Sequence, residues 1–355
     1  MADDTESDYQ QQASGGRLAL FGTLFVLMTA AGVYAVYDRF ADRSFEFDTQ
    51  LLAPELLVGI VLLLLAYFVS DGLRLHYTLR ALGHRLPLRK IFKLVFINLF
   101  FSNITPMATG GGFAQIWYLT RNGVPVARAT AATTIRTVLA VIFIFSLTPV
   151  FLLTLRALDG ELWSSSIVTA LAFFITAYLA FFIILLFKTR WLITPLSGMI
   201  AGIRKFHLIN ACRHDRWQFK LRREMLRFSE SFTDYLKGER KHVLLSVLFT
   251  ATFLLSLFSF PALLIHGLGY DVDYLLTIGL LVVTTFIMYF SPTPGASGIS
   301  EGVFGVFFRD ILTGNHLVLV TVAWRFITIY LGMIIGLIVM QREMIKSTGG
   351  QNDTD

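Results

Sequence analysis

Charged residues are scarce in this chain, and cysteine is almost absent. Asp, Glu, Lys and Arg make up 15% of the 355 residues, whereas soluble domains carry about 25%. Hydrophobic residues make up 55%, so the composition favours a membrane protein. The single cysteine, Cys212, excludes an intrachain disulfide.

Common motifs of metal and nucleotide chemistry are also missing. The sequence contains no His-Glu-x-x-His, and its seven histidines lack metal-ligand spacing on one helix face. It contains no Walker A sequence. We therefore expect neither a cofactor nor a metal, and no nucleic-acid partner. Asp271-Val272-Asp273 resembles the acidic pair of lipid-linked glycosyltransferases, but a lone Asp-x-Asp is a weak signal.

Long apolar runs dominate what is present. Crossing the hydrocarbon core as a helix takes about 20 apolar residues. The runs that approach this length are 18–37, 51–75, 129–155, 166–187, 242–266 and 316–340. We expect the polar residues 1–17 and 347–355 to be disordered, with a single transmembrane domain over 18–346.

Proline and glycine break two further apolar regions, at 103–115 and 289–301. Both breaks run Thr-Pro, then small residues, then Gly-x-x-Gln or Gly-x-x-Glu. An arginine within an apolar stretch follows each break, Arg136 after the first and Arg325 after the second. Paired Gly/Pro-interrupted segments in the two halves of a membrane protein indicate a transporter binding site.

The basic residues predict the orientation of the chain. One basic cluster lies at 80–93, and the segment 188–241 holds thirteen Lys or Arg against five Asp or Glu. Basic loops stay in the cytoplasm, and both segments can do so only if the break at 103–115 is a re-entrant hairpin. A single broken crossing is the alternative. With hairpins at both breaks, the two termini are cytoplasmic.

The predicted fold is an all-α polytopic membrane protein with about six full spans and two re-entrant helical hairpins arranged as inverted repeats. Repeat one covers about 51–156 and repeat two about 242–340, with the basic segment 188–241 between them. Apolar residues from Trp217 to Tyr235 follow helical spacing within that segment. They are compatible with an amphipathic helix on the membrane surface or with a packed cytoplasmic helix.

The two breaks and the two arginines supply the candidate substrate site. Helix amino termini at the hairpin tips suit anions, and arginine suits bidentate contact with phosphate. Glu301 is open to three roles: pairing with an arginine, binding a cationic headgroup or carrying a proton. The predicted substrate-binding residues are Asn103, Thr105, Pro106, Gly110, Gly111, Gly112, Gln115 and Arg136 in repeat one, and Pro292, Thr293, Pro294, Gly295, Ser297, Gly298, Glu301 and Arg325 in repeat two.

These motifs resemble those of the flippase-like integral membrane domain family, which includes the transmembrane region of lysylphosphatidylglycerol synthase. The likeness covers most of the chain, including the basic turn at 74–93, both breaks, Arg136 and Trp324-Arg325. Gln115 departs from it, because many members have an acidic residue there. The resemblance implies movement of a phospholipid, glycolipid or isoprenoid-type lipid between leaflets, in the plasma (inner) membrane of a prokaryote.

No soluble aminoacyl-transferase domain follows the last span, so we expect no synthase activity. The main alternative is a membrane-embedded lipid-modifying enzyme or its non-catalytic scaffold partner. The sequence leaves open the lipid, the direction, the energy source and homo-oligomerisation. It also leaves open whether the protein is a flippase or a scramblase.

Overall fold

The computed structural model describes residues 47–155, 165–187 and 230–349, together with a few isolated positions, and side chains over 47–155, 169–180 and 230–343. Every regular element in these residues is helical, which confirms the all-α class. The first predicted span, at 18–37, and most of the basic segment 188–241 lie outside the described residues.

The α-helices in chain order are α1 (Pro54–Ala81), α2 (Leu88–Ile104), α3 (Thr109–Arg121), α4 (Val126–Thr154), α5 (Ser165–Phe187), α6 (Arg240–Gly267), α7 (Tyr274–Met288), α8 (Ile299–Phe308), α9 (Gly314–Arg325) and α10 (Leu331–Gly349). Short 3₁₀ turns, Pro106–Ala108 and Pro294–Ala296, separate α2 from α3 and α7 from α8. A π-helical turn, Phe326–Tyr330, joins α9 to α10.

Four helical stretches among the described residues are long and apolar enough to cross a bilayer. They are α1, α4, α6 and the continuous stretch Gly314–Glu343, which contains α9 and most of α10. These four stretches lie where the sequence predicts spans two, three, five and six. The 23 residues of α5 lie at the predicted fourth span.

The centre of the fold is the pair formed by α1 and α6, which pack along their length. The ring of Tyr67 stacks on Phe253 with 5.0 Å between centroids and meets Phe260 edge-on at 5.9 Å. At one end of the pair, Gly267 lets the helices approach, because a Cβ there would lie 2.5 Å from a methyl group of Leu56. The central pair thus joins one long helix from each predicted repeat.

The two predicted breaks each form a pair of short helices around a tight turn. The four arms, α2, α3, α7 and α8, contain 17, 13, 15 and 10 residues, each below the length of about 20 needed for a crossing. In the first pair, Gly111 lies directly against Ser102, where a Cβ would be 1.8 Å from the serine oxygen. This glycine therefore allows α3 to fold back on α2.

Both turns repeat one unusual backbone conformation. After Thr-Pro, the first turn has Met107 at φ 53° and Ala108 at φ 54°, and the second has Gly295 at φ 57° and Ala296 at φ 53°. Positive φ is uncommon for residues other than glycine. The two turns also contact each other. The tips of the two helix pairs therefore share a local structure and contact each other.

The last helix holds the first helix pair in place. α10 packs closely on α2, and Lys93 forms an ion pair with Glu343 at one end of the contact. A Cβ on Gly336 would lie 2.2 Å from the carbonyl oxygen of Phe96, and one on Gly332 would lie 2.8 Å from a methyl group of Leu99. The last helix of the described chain thus supports the first helix pair.

The described end of the predicted amphipathic segment packs into the protein. Phe232 and Tyr235 are buried in the cluster that includes residues of α1 and α2, and the Tyr235 hydroxyl hydrogen-bonds Ser246 Oγ at 2.5 Å. For these residues the packed-helix alternative is the one that the structure adopts. Burial raises the pKa of Tyr235, as expected for a phenol removed from water.

We predict that Gly336→Ala destabilises the protein, because the new methyl group meets backbone that cannot move aside. The expected cost is about 1–3 kcal/mol in the free energy of unfolding, as for overpacked cores. Thermal unfolding in detergent measures it against Gly302→Ala, whose Cβ would meet nothing within 4 Å. Equal unfolding temperatures for the two variants would contradict the proposed close contact of α10 with α2.

Candidate functional site

A cavity of about 670 Å³ lies where the two turns meet, between them and the helices α1, α4 and α6. Its polar lining comes from Arg74, Asn98, Ser102, Asn103, Thr109, Gln115, Arg136, Thr137, Thr285, Tyr289, Ser291 and Thr293. Its apolar lining includes Val141, Ile144, Leu254, Leu257 and Met288. The cavity therefore has a polar region beside an apolar wall.

One carboxylate and two arginines form the charged centre of this site. Oδ1 of Asp71 accepts hydrogen bonds from Nε of Arg74 at 2.6 Å and from Nη2 of Arg136 at 2.5 Å. The three residues are 2%, 7% and 4% exposed, respectively. The guanidinium of Arg74 also lies 3.8 Å from the ring centroid of Phe253. These contacts join α1, α4 and α6 around the cavity.

Gln115 connects the charged centre to the first helix pair. Its Oε1 accepts a hydrogen bond from Nη1 of Arg136 at 2.8 Å, and its Nε2 donates to Oδ1 of Asn98 at 2.7 Å. The Ser102 hydroxyl donates to the same oxygen of Asn98 at 3.2 Å. A continuous polar chain therefore runs from α4 through α3 to α2.

The charged centre carries a net positive charge. Among the described residues lining the cavity, Arg74 and Arg136 are the charged ones, and Asp71 compensates one of them. Nε of Arg136 is buried and has no hydrogen-bond partner among the described residues. The remaining positive charge is costly to bury without a counter-charge, so the site is suited to an anion.

The second tip is held by an ion pair that lies outside the cavity lining. Nε of Arg325 lies 2.8 Å from Oε1 of Glu301, and its Nη2 donates to the carbonyl oxygen of Gly295 at 2.9 Å. Oε2 of Glu301 accepts from the Gly298 amide at 2.7 Å and from the Ser300 hydroxyl at 2.8 Å. Glu301 and Arg325 are both 0% exposed. The two residues therefore stabilise the second turn without lining the cavity.

The two halves therefore use corresponding pairs in different surroundings. Gln115 contacts Arg136 in the first half, and Glu301 contacts Arg325 in the second. The first pair lines the cavity, whereas the second is buried behind it.

The predicted site residues occupy two layers. Those that line the cavity are Asn103, Gly112, Gln115, Arg136, Thr293 and Gly295. The others lie behind the lining, in the turns, at the helix starts or, for Arg325, at the end of α9: Thr105, Pro106, Gly110, Gly111, Pro292, Pro294, Ser297, Gly298, Glu301 and Arg325. Thr105 illustrates this second layer, because its hydroxyl donates to the Phe101 carbonyl and accepts from the Gly110 amide.

Sequence reasoning did not include Asp71, Arg74 or Asn98 in the site. The spacing of Asp71 and Arg74 predicts an i, i+3 pair, and the structure confirms it. The link from Asp71 to Arg136 spans 65 residues, so no local pattern indicates it. Asp71 is a carboxylate within a predicted span, where a charged side chain is costly to bury. That position was the sequence signal that could have indicated a functional residue.

In the loop after α6, one residue of the Asp271-Val272-Asp273 motif has a structural role. The Asp273 side chain accepts a hydrogen bond from the Leu275 amide at 2.9 Å and so caps the start of α7. Among the described residues, no group of three or more His, Cys, Asp and Glu side chains is placed to hold a metal ion.

The chain is similar to membrane proteins of one family. The profile of the lysylphosphatidylglycerol synthase transmembrane region matches residues 18–336. A UPF0104 membrane protein of Archaeoglobus fulgidus is 25% identical over 325 residues, which cover 90% of this chain and 97% of the relative. The match includes both helix pairs and the cavity between them.

We predict that the cavity is accessible to a small hydrophilic thiol reagent. In a Cys212→Ala background, Thr137→Cys and Thr293→Cys place thiols on the cavity lining. Ser300→Cys places one in a position that is 0% exposed. Labelling in proteoliposomes is expected at the first two positions only. Reaction at Ser300→Cys at the same rate, or no reaction at either lining position, would contradict the observed cavity.

We also predict strong coupling between Glu301 and Arg325. Glu301→Gln leaves a buried arginine without its partner, which typically costs about 3–5 kcal/mol. The double variant Glu301→Gln/Arg325→Met removes both charges and should lose less stability than the sum of its single variants. Unfolding in detergent measures this coupling, with the exposed Arg309→Gln as the control. Additive losses would show that the pair does not act as a unit.

Proposed function

We propose that this chain, which belongs to the lysylphosphatidylglycerol synthase transmembrane-region family, moves a lipid with an anionic headgroup between the leaflets of a membrane. The observation that carries this proposal is the position of Arg74 and Arg136. Both are more than nine-tenths buried within membrane-spanning helices, and both line one cavity at the meeting point of the two turns. Charges placed at such depth typically mark substrate pathways.

The polar side of the cavity suits a headgroup phosphate. Arginine binds phosphate through two parallel hydrogen bonds, and both Arg74 and Arg136 line the cavity. Asn98, Asn103 and Gln115 add amide groups that can hydrogen-bond the oxygens of a headgroup. The proposed binding step is therefore the transfer of a phosphate from water to the two arginines.

The apolar side of the cavity suits the acyl chains. Ile144, Leu257 and Met288 lie on the wall beside the polar region. Large apolar side chains near the turns, including Met107 and Phe290, are 66% and 64% exposed. In a bilayer these surfaces face lipid, so acyl chains can stay in the hydrocarbon while the headgroup occupies the cavity.

The two helix pairs act in this proposal as re-entrant hairpins of inverted repeats. Short arms, a shared turn conformation and direct contact between the turns support this arrangement. With about six spans and cytoplasmic termini, the hairpins enter from opposite sides and place the cavity near the midplane. The proposed location is the inner membrane of a prokaryote, and the activity is transport rather than enzymatic modification of the lipid.

Headgroup translocation in proteoliposomes tests the proposal. We expect movement of at least one lipid class from a panel of anionic phospholipids, aminoacylated phospholipids, glycolipids and isoprenoid-linked lipids. Arg136→Gln should slow it about ten- to a hundredfold, the loss expected when a charged hydrogen bond to the substrate is removed. Arg121→Gln is the matched control, because Arg121 contacts Trp117 at the end of α3 and does not line the cavity.

Two outcomes would contradict the proposal. The first is no movement of any lipid by folded protein, which would favour the enzyme or scaffold alternative. The second is equal transport by Arg136→Gln and wild type, which would show that the lipid headgroup does not pass through the cavity. Incubating the protein with each lipid and analysing products by mass spectrometry separates an enzyme from a scaffold.

A further inference from the structure

We infer that Asp71 determines the charge of the lipid that the cavity accepts, and that it selects a phosphodiester with one negative charge over a phosphomonoester with two. This inference rests on the proposed function and names the substrate class of the same site. Asp71 acts here as a specificity-determining residue through the two arginines that it contacts.

The geometry places the carboxylate between the arginines that would bind the phosphate. One oxygen, Oδ1, receives Nε of Arg74 and Nη2 of Arg136. Nη2 of Arg74 also lies 2.6 Å from this oxygen. Asp71 therefore occupies the position of an anion between two guanidinium groups.

The charges of these three side chains determine which lipid headgroup the cavity prefers. Arg74 and Arg136 contribute two positive charges and Asp71 contributes one negative charge, so the cavity carries one positive charge. Glu301 and Arg325 neutralise each other behind the second turn. A phosphodiester neutralises the cavity, whereas a phosphomonoester dianion leaves one negative charge buried. An uncompensated charge in this setting is costly.

The same carboxylate keeps the cavity from carrying two uncompensated positive charges. Without Asp71, both arginines would remain buried in membrane-spanning helices with no carboxylate beside them. Gln115 and Asn98, which continue the hydrogen-bond chain from Arg136, are neutral and cannot replace that charge. Asp71 thus lowers the affinity for anions while it stabilises the substrate-free state, and both effects favour release of the lipid.

The test compares binding of two short-chain lipids to protein in nanodiscs at pH 8. Dihexanoyl phosphatidylglycerol carries one negative charge, and dihexanoyl phosphatidic acid is mostly a dianion at that pH. We expect wild type to prefer phosphatidylglycerol. In Asp71→Asn we expect both lipids to bind more tightly, on the order of ten- to a hundredfold for phosphatidic acid, with a smaller gain for phosphatidylglycerol, so that the preference reverses. Dihexanoylglycerol, which has no phosphate, should not bind the cavity.

A second variant separates a charge role from a structural one. Asp71→Asn/Arg136→Gln restores the single positive charge by removing one arginine, so its preference should return to phosphatidylglycerol. If Asp71 only positioned the helices, the double variant would not regain the preference for phosphatidylglycerol, and that result would overturn the inference. It would also be overturned by a folded Asp71→Asn protein that retains the wild-type preference. Asp310→Asn, at an exposed carboxylate, controls for a change in surface charge.

The outcomes also distinguish this inference from the proposed function. Dimethyl phosphate is a free phosphodiester without acyl chains. If it binds as tightly as dihexanoyl phosphatidylglycerol and no lipid is transported, the site takes a soluble anion, and the proposed lipid transport fails. If wild type transports lipid but shows no selection by charge, the proposed function stands and the inference about Asp71 fails.

Discussion

The structure depends on the pairing of buried charges inside a membrane-spanning bundle. Asp71 accepts hydrogen bonds from Arg74 on its own helix and from Arg136 on α4, and Gln115 extends this contact to the first helix pair. A buried charge without a partner costs several kcal/mol. Because all four residues need one another, the cavity, the central pair α1 and α6 and the first turn form one interdependent unit.

The two halves place similar residues in different roles. In the first half, the polar residue after the turn faces the cavity together with its arginine. In the second half, Glu301 binds two groups of its own turn and Arg325 binds the carbonyl of Gly295, so this pair holds the turn. The π-helical turn begins immediately after Arg325, and such turns are frequent at functional sites. One half therefore supplies the chemistry of the site and the other supplies its support.

The sequence predicted those features of the fold that local patterns determine. Long apolar runs indicated the helices, and Thr-Pro followed by glycine and small residues indicated both turns. It also indicated the correspondence of Arg136 with Arg325. The role of Asp71 was beyond local patterns, because its contact with Arg136 joins residues far apart in the chain. The burial of Glu301 behind its turn was equally hidden, since the spacing of a glutamate does not show which way its side chain faces.

Photo-crosslinking most directly tests whether a lipid headgroup binds between the two turns. The protein would be reconstituted with an anionic phospholipid that carries a diazirine on its headgroup, irradiated, digested and analysed by mass spectrometry. A headgroup held by Arg74 and Arg136 should form adducts on polar cavity-lining residues such as Thr109, Thr137 and Ser291. Adding an excess of the unmodified lipid should reduce these adducts, because it competes for the same site. Adducts confined to exposed positions outside the cavity, such as Leu62 and Leu244, would contradict a headgroup site there.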